Sequence, residues 1–152
     1  MFWNRKNIVT KILPFYDKIV NDINCKYIWK CNKENIFKLY KKNIKKNHLE
    51  IGPGTGYFIK NFTFSNLYLM DINKDILLFS KKELEKNNKN IKIYHHNIFQ
   101  KKFYLNNIDS IGCNYVLHCI DGNLENKIEL LHKNLITKKD VVIFGATVIN
   151  ID

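Results

Sequence analysis

The chain has 152 residues and a mass of 18.1 kDa, with 45% hydrophobic and 26% charged residues, which suits one globular domain and leaves no room for a second. No apolar run approaches the roughly 20 residues that span a bilayer. Met1 to Thr10 carries basic residues without the apolar stretch and small-residue cleavage site of a secretion signal, so a cytoplasmic protein is expected.

The net charge of +11 at pH 7 and the pI near 9.5 raise nucleic acid as a partner. The lysines, however, are spread through nearly every segment among many Asn and Ile, the pattern of compositional drift in an AT-rich genome. Pairs such as Lys41-Lys42 and Lys101-Lys102 read as solvated faces. Cys25, Cys31, Cys113 and Cys119 form no C-x-x-C pair, so reduced thiols are expected and a zinc site is not.

In chain order, Ile8, Ile12, Phe15 and Ile19 recur at helical spacing with Pro14 dividing the segment, and Ile36, Phe37, Tyr40 and Ile44 make a second stripe. Residues 1–45 are thus expected to form a helical cover on a core built by 46–152, the whole being one domain. The core alternates. A strand is predicted over Asn47–Ile51, a helix from about Tyr57, a strand over Asn66–Asp71, a helix over Lys74–Lys86 and a strand over Ile91–His95. A strand over Asp109–Val116 follows, then a helix through Leu124, Ile128, Leu131 and Leu135, and a last strand over Asp140–Thr147. Asn73 is placed to cap the helix that begins at Lys74, with Asp75 favourable in its first turn. Such an alternation implies a mostly parallel α/β sheet with helices on both faces.

Ligands of such sheets bind beyond the carboxyl ends of the strands, where strand order reverses. Residues 48 to 56 read His-Leu-Glu-Ile-Gly-Pro-Gly-Thr-Gly, an apolar strand ending in an acid and running into Gly52, Gly54 and Gly56. Glycines there let a ligand approach the backbone closely. Glu50 would repel a pyrophosphate but suits the amino group or sulfonium of S-adenosylmethionine. The dinucleotide fingerprint would need glycine where the chain has Tyr57, so a methyl donor is favoured over NAD. Asp71, nineteen positions after Gly52, is spaced to accept hydrogen bonds from both ribose hydroxyls, with Ile72 against the adenine. Asn97, followed by Ile98, stands where an acceptor for the adenine amino group is expected, and an amide oxygen serves that purpose without charge.

After the fourth strand, Asn114 and Tyr115 are candidates for the pocket floor. His118 is a candidate base because its ordinary pKa lies near neutrality, or a histidine that orders the loop through the backbone. Asp121 either orients it or makes a turn with Gly122. Tyr16 and Trp29 fall in segments that must cover the crevice, Tyr16 as a lid contact to the cofactor and Trp29 at the substrate. His95 and His96 are strand neighbours facing opposite ways and cannot hold one metal together.

With these residues in view, the chain from about Phe15 to Thr147 resembles class I S-adenosylmethionine-dependent methyltransferases. The carriers are Tyr16-Asp17, Trp29, His48 to Phe58, Leu69 to Asn73, Asp109-Ser110, Asn114 to Cys119, and Phe144-Gly145-Ala146-Thr147. Within that superfamily the Asn-Tyr-Val-Leu-His-Cys and Phe-Gly-Ala-Thr stretches look like those of small natural-product tailoring enzymes. The resemblance implies a Rossmann-like sheet of order 3-2-1-4-5 behind N-terminal helices, and methyl transfer to a small molecule, often a polyketide oxygen. It also implies an antiparallel hairpin of strands 6 and 7, which is expected to be missing here. An RNA methyltransferase and a non-catalytic cofactor-binding or partner subunit remain the rival readings. Val141 to Phe144 is apolar enough for burial on both faces, so that edge is expected to be covered by a second copy or another subunit.

Overall fold

A computed structural model of the chain describes residues 32–137 and 140–149. The first helical stretch, Cys25, Cys31, and the lid candidates Tyr16 and Trp29 lie outside the described residues.

Helix α1 spans Lys33–Asn43, with Asn32 capping it by accepting from the Glu34 N–H at 3.0 Å. Its stripe buries Ile36 and Tyr40, as the spacing predicts. Strands β1 (Asn47–Ile51), β2 (Asn66–Asp71), β3 (Ile91–His95), β5 (Ser110–Cys113) and β7 (Val142–Phe144) form one sheet in the order β3-β2-β1-β5-β7. Every pairing in it is parallel. This is the expected 3-2-1-4-5 arrangement. Helix α2 (Lys74–Leu84) begins where Asn73 accepts from the Asp75 and Ile76 N–H groups, and α3 (Leu124–Asn134) begins at a matching cap from Asn123. A cap of this kind is worth about 1 kcal/mol.

Side-chain alternation in β1 and β2 divides the core in two. Leu49, Ile51, Tyr68 and Met70 pack with Ile111, Cys113 and Leu131 on the face covered by α3. Leu67 and Leu69 pack with Ile36, Tyr40, Leu77, Leu84 and Phe144 on the face covered by α1 and α2. A central strand buried on both faces is what the near-continuous apolar runs require.

Four expectations need correction. The helix predicted from Tyr57 is a run of turns in which the Gly56 carbonyl accepts from both Ile59 and Lys60. Strand β5 ends at Cys113 rather than continuing to Val116, because Tyr115 takes φ 56° and a short 3-10 turn, Leu117–Cys119, follows. The last strand covers only Val142–Phe144. Leu135 leaves α3 and opens β6 (Leu135–Thr137), which pairs in parallel with β4 (Phe103–Leu105) in a separate two-stranded sheet. Among the described residues no helix is long and apolar enough to cross a membrane.

Candidate functional site

The reversal of strand order falls between β1 and β5, and the loops after β1, β2, β5 and β7 meet at this end of the sheet. The glycine loop leaves β1 with Gly52 at φ 65°, tied by its N–H to the Met70 carbonyl at 2.8 Å. A Cβ on Gly52 would collide with Val116, so the loops after β1 and β5 close on each other only because that side chain is absent. A Cβ on Gly54 would meet no atom within 4 Å, so space stands open above the loop's middle. Gly56 is buried against Leu84. The hydroxyl of Ser80 in α2 sits 2.5 Å from the Gly54 carbonyl and 2.8 Å from that of Ile76. Ser80 is a residue that sequence reasoning missed, since a lone serine inside a helical stripe carries no motif.

Glu50 lies directly beneath this loop and is almost wholly buried. One carboxylate oxygen accepts from the Tyr40 hydroxyl at 2.5 Å, and the other lies 2.8 Å from His48 Nε2. Gly112 on the neighbouring strand is required here, because a Cβ would overlap the Glu50 carboxylate. Burial and the nearby Glu50 push the Cys113 thiol up to about 12, which leaves it inert.

Asp71 ends β2 half-buried, accepting at 2.8 Å from the Asn73 N–H. Burial raises its pKa, opposed by backbone N–H groups of Asn73 and Ile72 and by His95. Ile72 beside it is 62% exposed. His95 donates to the Ile72 carbonyl at 2.9 Å and so shapes the same loop, while His96 reaches the Lys101 carbonyl instead. The Asn97 amide oxygen accepts from the Phe99 N–H at 3.0 Å, and Ile98 packs its side chain in the core with its carbonyl bonded by Asn134.

Beyond β5, Asn114 is buried and its amide oxygen has no hydrogen-bond partner. Tyr115 donates its N–H to the Ala146 carbonyl at 2.7 Å, which stitches the loops after β5 and β7 together. Gly145 makes this possible, since a Cβ there would strike the Cys113 carbonyl. His118 packs edge-on against the Tyr115 ring. Burial and the Lys127 ammonium lower its pKa, so the imidazole is neutral at pH 7. A cavity of about 500 Å³ opens here, lined by Leu117, His118, Leu124, Lys127, Thr147 and Ile149 among others. Lys127 also donates to the Leu117 carbonyl at 3.0 Å. Burial and, less, the Asp71 carboxylate raise the thiol pKa of Cys119, next to His118, and Lys127 opposes them. Of the sequence-predicted residues, Glu50, the three glycines, Asp71, Ile72, Asn114, Tyr115 and His118 gather at this crevice, whereas Asn97 and Ile98 form the loop after β3.

Residues 49–135, spanning β1 through the start of β6, match the family described as methyltransferase domain. The chain belongs to that family. This methyltransferase domain is 31% identical to demethylluteothin O-methyltransferase of Streptomyces thioluteus, over 91% of the chain and 62% of that enzyme. It is 30% identical to the physcion biosynthesis cluster O-methyltransferase of Aspergillus chevalieri, over 91% of the chain and 64% of that protein. The chain thus spans less than two thirds of the length of these curated relatives. Its fold is also that of the N-methyltransferase NodS from Bradyrhizobium japonicum, solved with S-adenosyl-L-homocysteine. That match has a TM-score of 0.52 and 17% identity, over 68% of this chain and 54% of NodS.

Proposed function

We propose that this methyltransferase domain binds S-adenosylmethionine in the crevice and passes the methyl group to a small molecule, at an oxygen of a natural product such as a polyketide. One observation carries the reading: the open glycine loop above Glu50, the Asp71 carboxylate, the orphaned Asn114 amide oxygen and His118 all converge at one end of the parallel sheet. The residues present fit the cofactor. Gly52, Gly54 and Gly56 leave room for its amino-acid portion, and the Glu50 charge below them attracts its ammonium. Asp71, partly desolvated, is a strong acceptor for ribose hydroxyls. Ile72 offers an exposed apolar face to the adenine, and the Asn97-Ile98 loop borders the same end. Buried polar atoms without a partner are few in folded proteins, so Asn114 Oδ1 marks a place where a ligand donor is wanted.

When bound, the cofactor would supply an electrophilic methyl carbon on a cationic sulfur as the group to be transferred. The chain's own part is to orient the acceptor and take its proton. His118, neutral at pH 7, is the group placed to accept that proton, and Tyr115 and the apolar lining of the cavity orient the acceptor and exclude water. Support for an oxygen acceptor comes from the names of the two curated relatives, NodS being an N-methyltransferase. An RNA acceptor calls for basic residues clustered at the crevice mouth. Among the described residues Lys127 is the one lysine or arginine lining the cavity, and its ammonium is bonded to the Leu117 carbonyl.

The test is transfer of tritiated methyl from S-adenosylmethionine to a panel of phenolic and enolic polyketides, with bulk RNA as a second panel. Labelled small-molecule ethers are the expected product. Label in RNA, or cofactor binding without transfer to either panel, contradicts the reading.

A further inference from the structure

Four buried polar side chains run in one line beneath the glycine loop. The Lys45 N–H donates to Ser110 Oγ at 2.9 Å, Ser110 Oγ lies 2.8 Å from His48 Nδ1, His48 Nε2 lies 2.8 Å from Glu50, and the far oxygen of Glu50 accepts from Tyr40. Tyr40, His48 and Ser110 are 0% exposed and Glu50 is 4% exposed. The imidazole is sandwiched by the rings of Phe64 and Phe144, at 5.5 and 5.9 Å between centroids.

The hydroxyl–imidazole–carboxylate order is that of a hydrolytic triad. That activity is excluded, because the Ser110 hydroxyl is inaccessible and already receives the Lys45 N–H. One proton arrangement satisfies every atom: Ser110 donates to His48 Nδ1, His48 Nε2–H donates to Glu50, and Tyr40 donates to Glu50. Both Glu50 oxygens then accept, and the carboxylate is held between Tyr40 and His48. Burial and the neighbouring Glu50 raise the Tyr40 pKa well above its ordinary value, so this phenol keeps its proton and remains a donor.

A buried carboxylate held only by neutral groups is costly unless something cationic answers it. Among the described residues the two Glu50 oxygens are held by Tyr40 and His48, and the loop that follows Glu50 is open above Gly54. We propose that Tyr40 and His48 are positioning residues that hold the Glu50 carboxylate in place for the cationic amino group of the methyl donor, with Ser110 setting the His48 tautomer. Through Tyr40 the α1 helix takes part in cofactor recognition. The inference rests on the cofactor reading given above and goes beyond it in assigning how the ammonium subsite is built.

The experiment compares two nucleosides on the full chain by calorimetry: S-adenosylhomocysteine, which carries the amino group, and 5′-methylthioadenosine, which lacks the amino-acid portion. Tyr40→Phe removes only the hydroxyl. It is expected to weaken S-adenosylhomocysteine by about 10-fold or more, the scale of one hydrogen bond to a charged group, and to leave methylthioadenosine within about twofold. His48→Gln, which keeps an N–H donor toward Glu50, is expected to retain most of the affinity that His48→Leu loses. Should Tyr40→Phe fold poorly, Ser110→Ala at the far end of the line is expected to show the same selective loss at smaller size. Equal weakening of both nucleosides, or undiminished S-adenosylhomocysteine binding in a folded Tyr40→Phe protein, overturns the inference alone. A wild-type chain that binds neither nucleoside overturns the cofactor reading, and the inference with it.

Discussion

The Ser80 hydroxyl in α2 holds the Gly54 carbonyl at 2.5 Å, so the helix that follows β2 props up the loop that follows β1. The contact joins two segments that the sequence separates by a whole strand, and it ties down the carbonyl at the middle of the loop. Ser80→Ala removes a buried bond. It is expected to cost about 0.5–1.5 kcal/mol of stability, seen as a lower Tm, and to weaken S-adenosylhomocysteine because the loop loses its prop. Thermal melts with and without the nucleoside check both. Equal Tm values for variant and parent in both conditions would show that the hydroxyl does not prop the loop.

His118 is expected to matter for turnover more than for cofactor binding. His118→Gln should lower the methyl-transfer rate by about 100-fold or more, the usual contribution of a general base, with nucleoside affinity nearly intact. The sign of the pH dependence follows from its shift. Burial and Lys127 lower the His118 pKa, so the neutral base persists below the ordinary imidazole range and activity is lost as pH falls through that lowered value. Lys127→Gln removes the ammonium, and the acidic limb of the rate profile is expected to move to higher pH. A limb that stays in place would assign the loss to another group.

Much of this site was legible in one pass along the chain. The spacing of Glu50, Gly52, Gly54, Gly56 and Asp71 is local, and a parallel sheet turns such local spacing into a shared crevice. The segment from Tyr57 to Phe62 was misread as a helix. It carries two aromatics at its start and a β-branched residue, weak helix formers whose burial against α1 decides the backbone instead. The strands β4 and β6 escaped notice because three-residue strands show too few alternations to detect, and Leu135 fits the preceding helical stripe as well as it fits a strand. The partners of Glu50 illustrate the remaining gap. His48 lies two positions away on the same strand face, but Tyr40 and Ser110 join it only through the packing of α1 and the pairing of β1 with β5, whose register sets His48 opposite Ser110.

Strand β7 pairs with β5 on one side, and no described residue pairs with its other edge; Ile143 is 42% exposed there. An apolar strand edge recruits another strand. A homodimer across β7 is proposed, because two-fold pairing needs no second gene. Sedimentation at micromolar concentration is expected to give a dimer that Ile143→Lys converts to monomer. A monomeric parent protein, active as such, would contradict the proposal.

The central claim is that this crevice takes the methyl donor, and titration of the chain with S-adenosylhomocysteine in a calorimeter tests it most directly, with Asp71→Ala as the paired variant. Asp71 is only half-buried, and its carboxylate accepts from the Asn73 N–H at the start of the loop after β2. The account predicts saturable binding of one nucleoside per chain, weakened in the variant by roughly 1.5–3 kcal/mol, the range for hydrogen bonds to a charged group. No binding heat from the folded parent chain, or equal affinity in parent and variant, would contradict it.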